Sequence, residues 1–381
     1  MAAPVTPRGG LEGITAGRSA LCEINGVTGK LLYCGYDVVD LAARSSFEET
    51  AYLLWHGELP LEDELTAMRE QVAADLDLEP SVWAIAQRAP DHADPMDVLR
   101  TQVSLLGMVD PDTADRSDCG NRAKAARLVA QVGTLVATSE RIRQRREPLP
   151  PRPGLSLAGN FLYQLRGEEA TAEETRIFDI CLILHAEHGM NASTFAARVT
   201  ASTLADMHAA ACAAIAALKG ELHGRANERV MDMLRTLPDV ESVPSAVRDM
   251  LAGRRRIMGF GHRVYRTEDP RATILRGYSK ALGERMGDRH WYELTRRLET
   301  TVLEEKGLYP NVDLYSASVY TSLQIPQRLF TAIFAVSRMA GWTANIMEQH
   351  RDNRLIRPDC DYIGPPPRPY TPMDHRVTRP V

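Results

Sequence analysis

Apolar positions recur at helical spacing along most of the chain, and nearly every element they predict is a helix. Residues 47–55 read as a short amphipathic helix stopped by Gly57 and Pro60. Asp94-Pro95 opens another, since a proline in the first turn has no intrahelical donor to lose. Residues 110–121 are polar and turn-rich and form a loop. Residues 121–147 are strongly periodic, with Leu128, Val132, Leu135, Val136 and Ile142 along one stripe. Arg141, Arg143, Arg145 and Arg146 end that helix, complement its dipole and are expected to be solvated. Thr171 and Glu174 form a capping box, and the stripe Ile177, Cys181, Leu184 then runs on to His188, placing it on a buried face. Residues 202–219 are an alanine-dominated helix ended by Gly220, and such small side chains suit a central or interface position. Residues 231–253, 272–306 and 326–348 supply further helices.

Strand signals are confined to residues 21–36, where apolar runs broken by Asn25-Gly26 and Thr28-Gly29 predict a small β-hairpin. Residues 1–10 read as a loose tail, 149–153 as a Pro-rich connector, and the chain is Pro-rich again after Arg357. The fold class is therefore all-α with a small N-terminal hairpin, and the break at residues 220–224 marks where a second domain begins.

Composition narrows the function by exclusion. A chain of 381 residues is long enough for one large core or two domains. Its formal net charge of −5 leaves no general basic footprint for nucleic acid. The longest apolar run, residues 209–218, is ten residues and too short to span a bilayer. No signal-peptide pattern opens the chain, and six scattered cysteines without a C-x-x-C pair suit reduced thiols in the cytoplasm.

The densest chemistry lies in residues 254–271, which hold six arginines, a histidine flanked by glycines and a proline turn. Gly259 and Gly261 allow a sharp turn and close approach to a ligand, so His262 belongs on a shaped loop. Guanidinium groups there suit phosphate or carboxylate, although a solvated basic loop is the plainer reading of this stretch alone. Elsewhere Asp313, His188 and His223, with Arg271, Arg338 and Arg357, stand in unusual local contexts. A carboxylate base with neutral histidine donors suits proton removal beside a carbonyl, and arginines suit a substrate with several carboxylates. No serine or cysteine elbow, Walker sequence or dinucleotide fingerprint is present. A metal site at His185, Glu187 and His188 is the competing chemical reading, but it lacks H-E-x-x-H spacing and a nearby third ligand. His185 reads better as a hydrogen-bonded core histidine.

The segments Leu184-His185-Ala186-Glu187-His188-Gly189-Met190-Asn191-Ala192-Ser193-Thr194-Phe195, Leu222-His223-Gly224-Arg225-Ala226-Asn227-Glu228, Gly259-Phe260-Gly261-His262-Arg263-Val264-Tyr265 and Asn311-Val312-Asp313-Leu314-Tyr315-Ser316 together resemble, in order and spacing, the signatures of the citrate synthase family. The resemblance continues through Gly341-Trp342 and residues 353–358 and covers about residues 10–366.

It implies an all-α homodimer, with residues 1–222 and 324–381 as a large domain and 223–323 as a smaller mobile one. It implies that Asp313 takes a methyl proton from acetyl-CoA, that His223 hydrogen-bonds the thioester oxygen, and that His262 polarises the ketone of oxaloacetate. His188, Arg271, Arg338 and Arg357 would hold oxaloacetate, with Arg357 reaching across to the partner's site. Arg256, Ile257, Met258, Gly259, Gly261 and Arg266 would hold CoA, and no metal or redox cofactor would be needed. Citrate synthase is the leading activity, with 2-methylcitrate synthase acting on propionyl-CoA as the alternative and a non-catalytic CoA- or carboxylate-binding homologue as a third. Four positions depart from the family pattern: Gly189, Arg225, Ala317 and Asn345. Gly189 is expected to loosen His188, and Arg225 to add a charge beside His223.

Overall fold

A computed structural model describes residues 10–11 and 13–376. Apart from Gly10, the tail expected over residues 1–10 lies outside the described residues. Among them are sixteen α-helices and one small antiparallel sheet. β1 (Cys22–Asn25) and β2 (Lys30–Tyr33) form the expected hairpin, in register Cys22↔Tyr33 through Asn25↔Lys30. A two-residue β3 (Tyr36–Asp37) adds a third strand, and Asp37 then caps the first helix, Val38–Arg44. No helix among the described residues is long and apolar enough to cross a membrane.

The helix Phe330–Arg351 is the axis of the larger group of helices. All but a few of its residues are buried, including Trp342 and Arg338. Around it pack the helices Phe47–His56, Asp118–Arg143, Ala172–His185, Ala192–Ser202 and Met207–Leu218. Gly341 is the close-approach point: a Cβ there would stand 2.2 Å from the Ala186 carbonyl oxygen and 2.3 Å from Glu187 Oε2. Its missing side chain lets the 185–188 segment lie directly on the axis helix. A second group, Ala226–Arg235, Val243–Ala252, Pro270–Met286, His290–Lys306 and Val312–Ser322, packs mainly on itself.

Several boundaries differ from the sequence reading, each for a local reason. The helix expected from Asn121 starts at Asp118, because Ser117 Oγ accepts from Gly120 N–H at 3.1 Å and caps it earlier. It ends at Arg143, and Ile142 is only half-buried. Arg141 is buried rather than solvated: Arg145 turns the chain back at φ 61°, and Arg141 Nε donates to the Glu147 carbonyl at 2.8 Å. The alanine-rich helix begins at Met207, not Ser202, since Ala192–Ser202 is a helix of its own and Asp206 caps the next. The capping box at Thr171 and Glu174 is present. That helix stops at His185, however, so His188 lies beyond it and is buried against Tyr265 and His262, not through the stripe.

Candidate active site

The His262 loop is bonded directly to the start of the Val312–Ser322 helix. Gly259 and Gly261 adopt φ of 84° and 74°, and a Cβ on Gly259 would press within 3.0 Å of the Leu314 side chain. Gly261 N–H donates to the Tyr309 carbonyl at 3.0 Å, and Asn311 N–H to that of Gly259 at 3.0 Å. Asn311 Nδ2 reaches the Gly261 carbonyl at 3.0 Å, while its Oδ1 caps the helix by accepting from Asp313 N–H at 3.1 Å. Asn311 thus ties His262's loop to Asp313's backbone.

Hydrogen bonds decide which nitrogen of each histidine carries the proton. His262 Nδ1 accepts from the N–H groups of Val264 (3.0 Å) and Tyr265 (3.1 Å), so the proton of the neutral ring sits on Nε2. Burial, then the charge of Arg271, pushes its pKa down to about 4. His223 Nε2 meets Ser193's hydroxyl at 2.8 Å and its N–H at 3.3 Å. A backbone N–H can only donate, which makes Nε2 the acceptor and leaves the proton on Nδ1. Burial, then Arg338, pushes His223 down to about 4. Ser193 Oγ accepts from Trp342 Nε1–H at 3.2 Å and has Asn191 Oδ1 at 2.7 Å. Its single proton serves either Asn191 or His223, so it is the Ser193 N–H that fixes Nε2 as the acceptor.

His188 is edge-on to His262, ring centroids 5.0 Å apart, and its Nε2 lies 3.3 Å from the Tyr265 hydroxyl. Burial, with Arg271, His262 and Arg338 nearby, holds His188 neutral well below the usual imidazole range. Asp313 is half-buried, and its Oδ1 is withdrawn from water without a hydrogen-bond partner. Burial pushes its carboxyl up to about 7; Arg271 and Arg338 oppose the rise and Asp269 adds to it. The site therefore holds a carboxyl poised between its two states and two imidazoles that stay neutral donors near pH 7.

The arginines divide. Arg338 is buried, donates from Nε to the His185 carbonyl at 2.6 Å, and stacks 4.7 Å from the Phe334 ring centre. Arg271 is buried and bidentate to Asp269, at 3.0 and 2.8 Å. Arg357 stands apart from the site, its side chain 77% exposed and 3.8 Å from Asp359. Arg256 is exposed, Ile257 and Met258 are half-buried, and exposed Arg266 lines a cavity of about 190 Å³ with His262, Tyr265 and Tyr309. His185 is a core histidine, fully buried with Nδ1 2.8 Å from the Cys181 carbonyl. Among the described residues no three His, Cys, Asp or Glu side chains are arranged to hold a metal.

All four departures are accommodated. Gly189 has φ 59°, and a Cβ there would come 3.3 Å from Ile24 Cδ1, so this backbone suits glycine. Arg225 does not load charge onto His223: it turns to pair with Asp94 and donates from Nε to the Lys219 carbonyl at 3.1 Å. Asn345 joins Glu187 Oε2 (3.0 Å) to Arg198 (3.1 Å), and Ala317 is buried in the core. Sequence reasoning missed the supporting residues Ser193, Tyr265, Asp269 and Asn311. All four lie within or beside the motifs read above, and the cap positions Asn311 and Asp269 were legible as such.

Comparison with known proteins agrees over nearly the whole chain. Residues 10–359 match the model of the family described as citrate synthase, C-terminal domain. The chain is 47% identical to a citrate synthase from Haloferax volcanii, covering 96% of this chain and 98% of that protein. It is 41% identical to a 2-methylcitrate synthase from Mycobacterium tuberculosis, covering 93% and 90%. A citrate synthase from Thermoplasma acidophilum, solved as a ternary complex with carboxymethyl coenzyme A and oxaloacetate, superposes with a TM-score of 0.90. It is 34% identical, with 96% of this chain and 98% of that one covered.

Proposed function

This chain belongs to the citrate synthase family, and on that premise we propose that it condenses acetyl-CoA with oxaloacetate and hydrolyses the citryl-CoA to citrate and CoA. The observation that carries the reading is Asp313, raised to about 7 and without a partner on Oδ1, in the same arginine field as two neutral histidines. Asp313 removes a proton from the methyl group of acetyl-CoA. The negative charge moves to the thioester oxygen, where His223 donates from Nδ1. The new carbon nucleophile attacks the ketone of oxaloacetate, whose oxygen takes a hydrogen bond and then the proton from His262 Nε2. Neutral donors match a weakly basic developing oxyanion and cost no reorganisation at the moment of reaction. His188, Arg271 and Arg338 hold the carboxylates of oxaloacetate. Asp269 keeps Arg271 in place by accepting from its Nε and Nη2. The thioester both acidifies the methyl proton and drives the reaction through its hydrolysis, so the chemistry calls for no metal or redox cofactor.

The similarity to a 2-methylcitrate synthase keeps propionyl-CoA as a second reading. One methylene changes pocket affinity by only ~1–3 kcal/mol. Release of free thiol from acetyl-CoA and from propionyl-CoA, each with oxaloacetate, separates them. Faster turnover of acetyl-CoA supports the first reading, and faster turnover of propionyl-CoA replaces it.

The loop of Arg256, Ile257, Met258, Gly259, Gly261 and Arg266 is proposed to hold CoA beside the cavity at His262. Arg266→Ala is then expected to raise the KM for acetyl-CoA about 10-fold or more and that for oxaloacetate far less, because a remote phosphate contact contributes uniform binding. Steady-state kinetics with each substrate varied in turn checks this; equal rises in both constants would contradict it.

Residues 223–323 are proposed to form a smaller mobile domain on a larger one made of 1–222 and 324–381, a division supported by the self-packed second group of helices. Closure would exclude water until carbon–carbon bond formation is complete. A homodimer is proposed as the working unit. Two features support it: Leu355, Tyr362, Ile363 and Tyr370 stand exposed along the extended C-terminal segment, and Arg357 faces no site of its own chain. Six free cysteines support a reducing, cytoplasmic setting.

A further inference from the structure

The β1–β2 hairpin touches both histidine segments of the site, which lie far apart in sequence. From β2, the fully buried Tyr33 donates its hydroxyl to the Glu187 carbonyl at 2.9 Å, next to His188. From β1, Ile24 covers Gly189 on the other side of that histidine. The turn between the strands meets the His262 loop: Arg266 N–H donates to the Gly26 carbonyl at 2.8 Å. Contact there is so close that a Cβ on Gly26 would lie 2.1 Å from the Val264 carbonyl oxygen and 2.8 Å from its carbon. Val264 and Tyr265 are the residues whose N–H groups fix His262 Nδ1.

We propose that this hairpin is a positioning element for condensation, and that Gly26 is the residue through which it sets His262 against His188. The turn is held by bonds of its own, since Asn25 Oδ1 accepts from the N–H groups of Val27 (3.1 Å) and Thr28 (3.0 Å). β2 is likewise anchored, with Leu31 and Tyr33 fully buried. In this arrangement a strap bonded to both segments sets the spacing of their imidazoles, whose ring centroids lie 5.0 Å apart, and closure of the proposed smaller domain would bring the His262 loop onto it. Backbone meets backbone at Gly26, so no rotamer change relieves a clash there. An added methyl moves the loop by about 1 Å, a displacement that costs on the order of 100-fold in rate when reacting groups lose alignment. The inference rests on the proposed reading that His188 and His262 act on one substrate, oxaloacetate.

The test compares wild type, Gly26→Ala, Tyr33→Phe and, as a control, Val27→Ala, whose side chain is 79% exposed. For each, kcat, both KM values and the melting temperature are measured. Gly26→Ala is expected to lose about 10- to 100-fold in kcat and to raise the oxaloacetate KM. Tyr33→Phe, which reaches only the His188 segment, should raise the oxaloacetate KM and leave that for acetyl-CoA unchanged. Val27→Ala should match wild type. A merely structural role would lower the melting temperature and leave the kinetic constants of the folded fraction in place; that result, or wild-type kinetics from folded Gly26→Ala, overturns the proposal. Should Gly26→Ala fail to fold, an unchanged oxaloacetate KM in Tyr33→Phe overturns it instead. A wild type without turnover overturns the functional reading and this inference with it, whereas an active wild type with unaffected variants overturns the inference alone.

Discussion

Asp313→Asn is expected to lower condensation at least ~100-fold while oxaloacetate still binds. The amide keeps the shape of the carboxyl but cannot accept the methyl proton, whereas His188, Arg271 and Arg338 remain to hold the dicarboxylate. A second effect should accompany the loss. Burial raises the Asp313 pKa to about 7, above its value near 3.8 in the unfolded chain. Between those values the folded state binds the extra proton, so the group's contribution to stability falls as pH rises from about 4 through 7. Above pH 7 the wild type carries a buried carboxylate that it stabilises poorly, and asparagine removes that penalty. Asp313→Asn should therefore melt higher than wild type at pH 8 and near the wild-type temperature at pH 4. Thiol release, calorimetric titration with oxaloacetate and melting curves at the two pH values check the three parts. Retention of more than a few per cent of turnover would remove Asp313 from the role of base.

Two inactive variants are expected to restore one another when mixed. Arg357 lies outside its own chain's site, highly exposed on the extended C-terminal segment. If it completes the partner's site, Asp313→Asn and Arg357→Leu homodimers are each dead, since every site lacks one group. After subunit exchange a heterodimer has one site with both losses and one with neither. The intact site takes Asp313 from the Arg357→Leu chain and Arg357 from the Asp313→Asn chain. Activity should rise on mixing to about a quarter of the wild-type level at complete random exchange: half the molecules are heterodimers with half their sites intact. If Arg357 served its own chain, every heterodimer site would still lack one residue. A mixture shown by native mass measurement to contain heterodimers, yet inactive, would rule out the shared site.

What was legible in the sequence depended on how local the cause was. The helix starts at Asp94-Pro95 and at Thr171 with Glu174 follow from side chains a few residues apart, and both form as expected. The hairpin was legible for the same reason, from Asn25-Gly26 and Thr28-Gly29 between short apolar runs. His188 was expected to be buried and is, but not through its stripe. The helix ends at His185, and His188 instead packs against His262 and Tyr265, the latter 77 residues later, a contact no local pattern carries. Arg141 misled in the opposite direction, because a dipole argument treats a helix end as wet while the turn at Arg145 folds the chain back over it. In the site, residue types and motif order indicated which groups matter. They could not indicate which imidazole nitrogen bears the proton, since that depends on Ser193 and on the N–H groups of Val264 and Tyr265. Nor could they show that Arg225 turns from His223 to Asp94.

The central claim is that a carboxylate base works with histidines that donate while neutral. The pH dependence of kcat/KM for acetyl-CoA tests it most directly, measured from pH 5 to 9 with oxaloacetate well below saturation so that the free enzyme's ionisations are read. Deprotonation of Asp313, near 7, is the ionisation required, and both histidines, near 4, stay neutral across the range. The account predicts a rise of about tenfold per pH unit below 7 and a level plateau from 8 to 9. A bell-shaped profile that falls again above pH 7 would show that a protonated imidazolium is needed, and would contradict it.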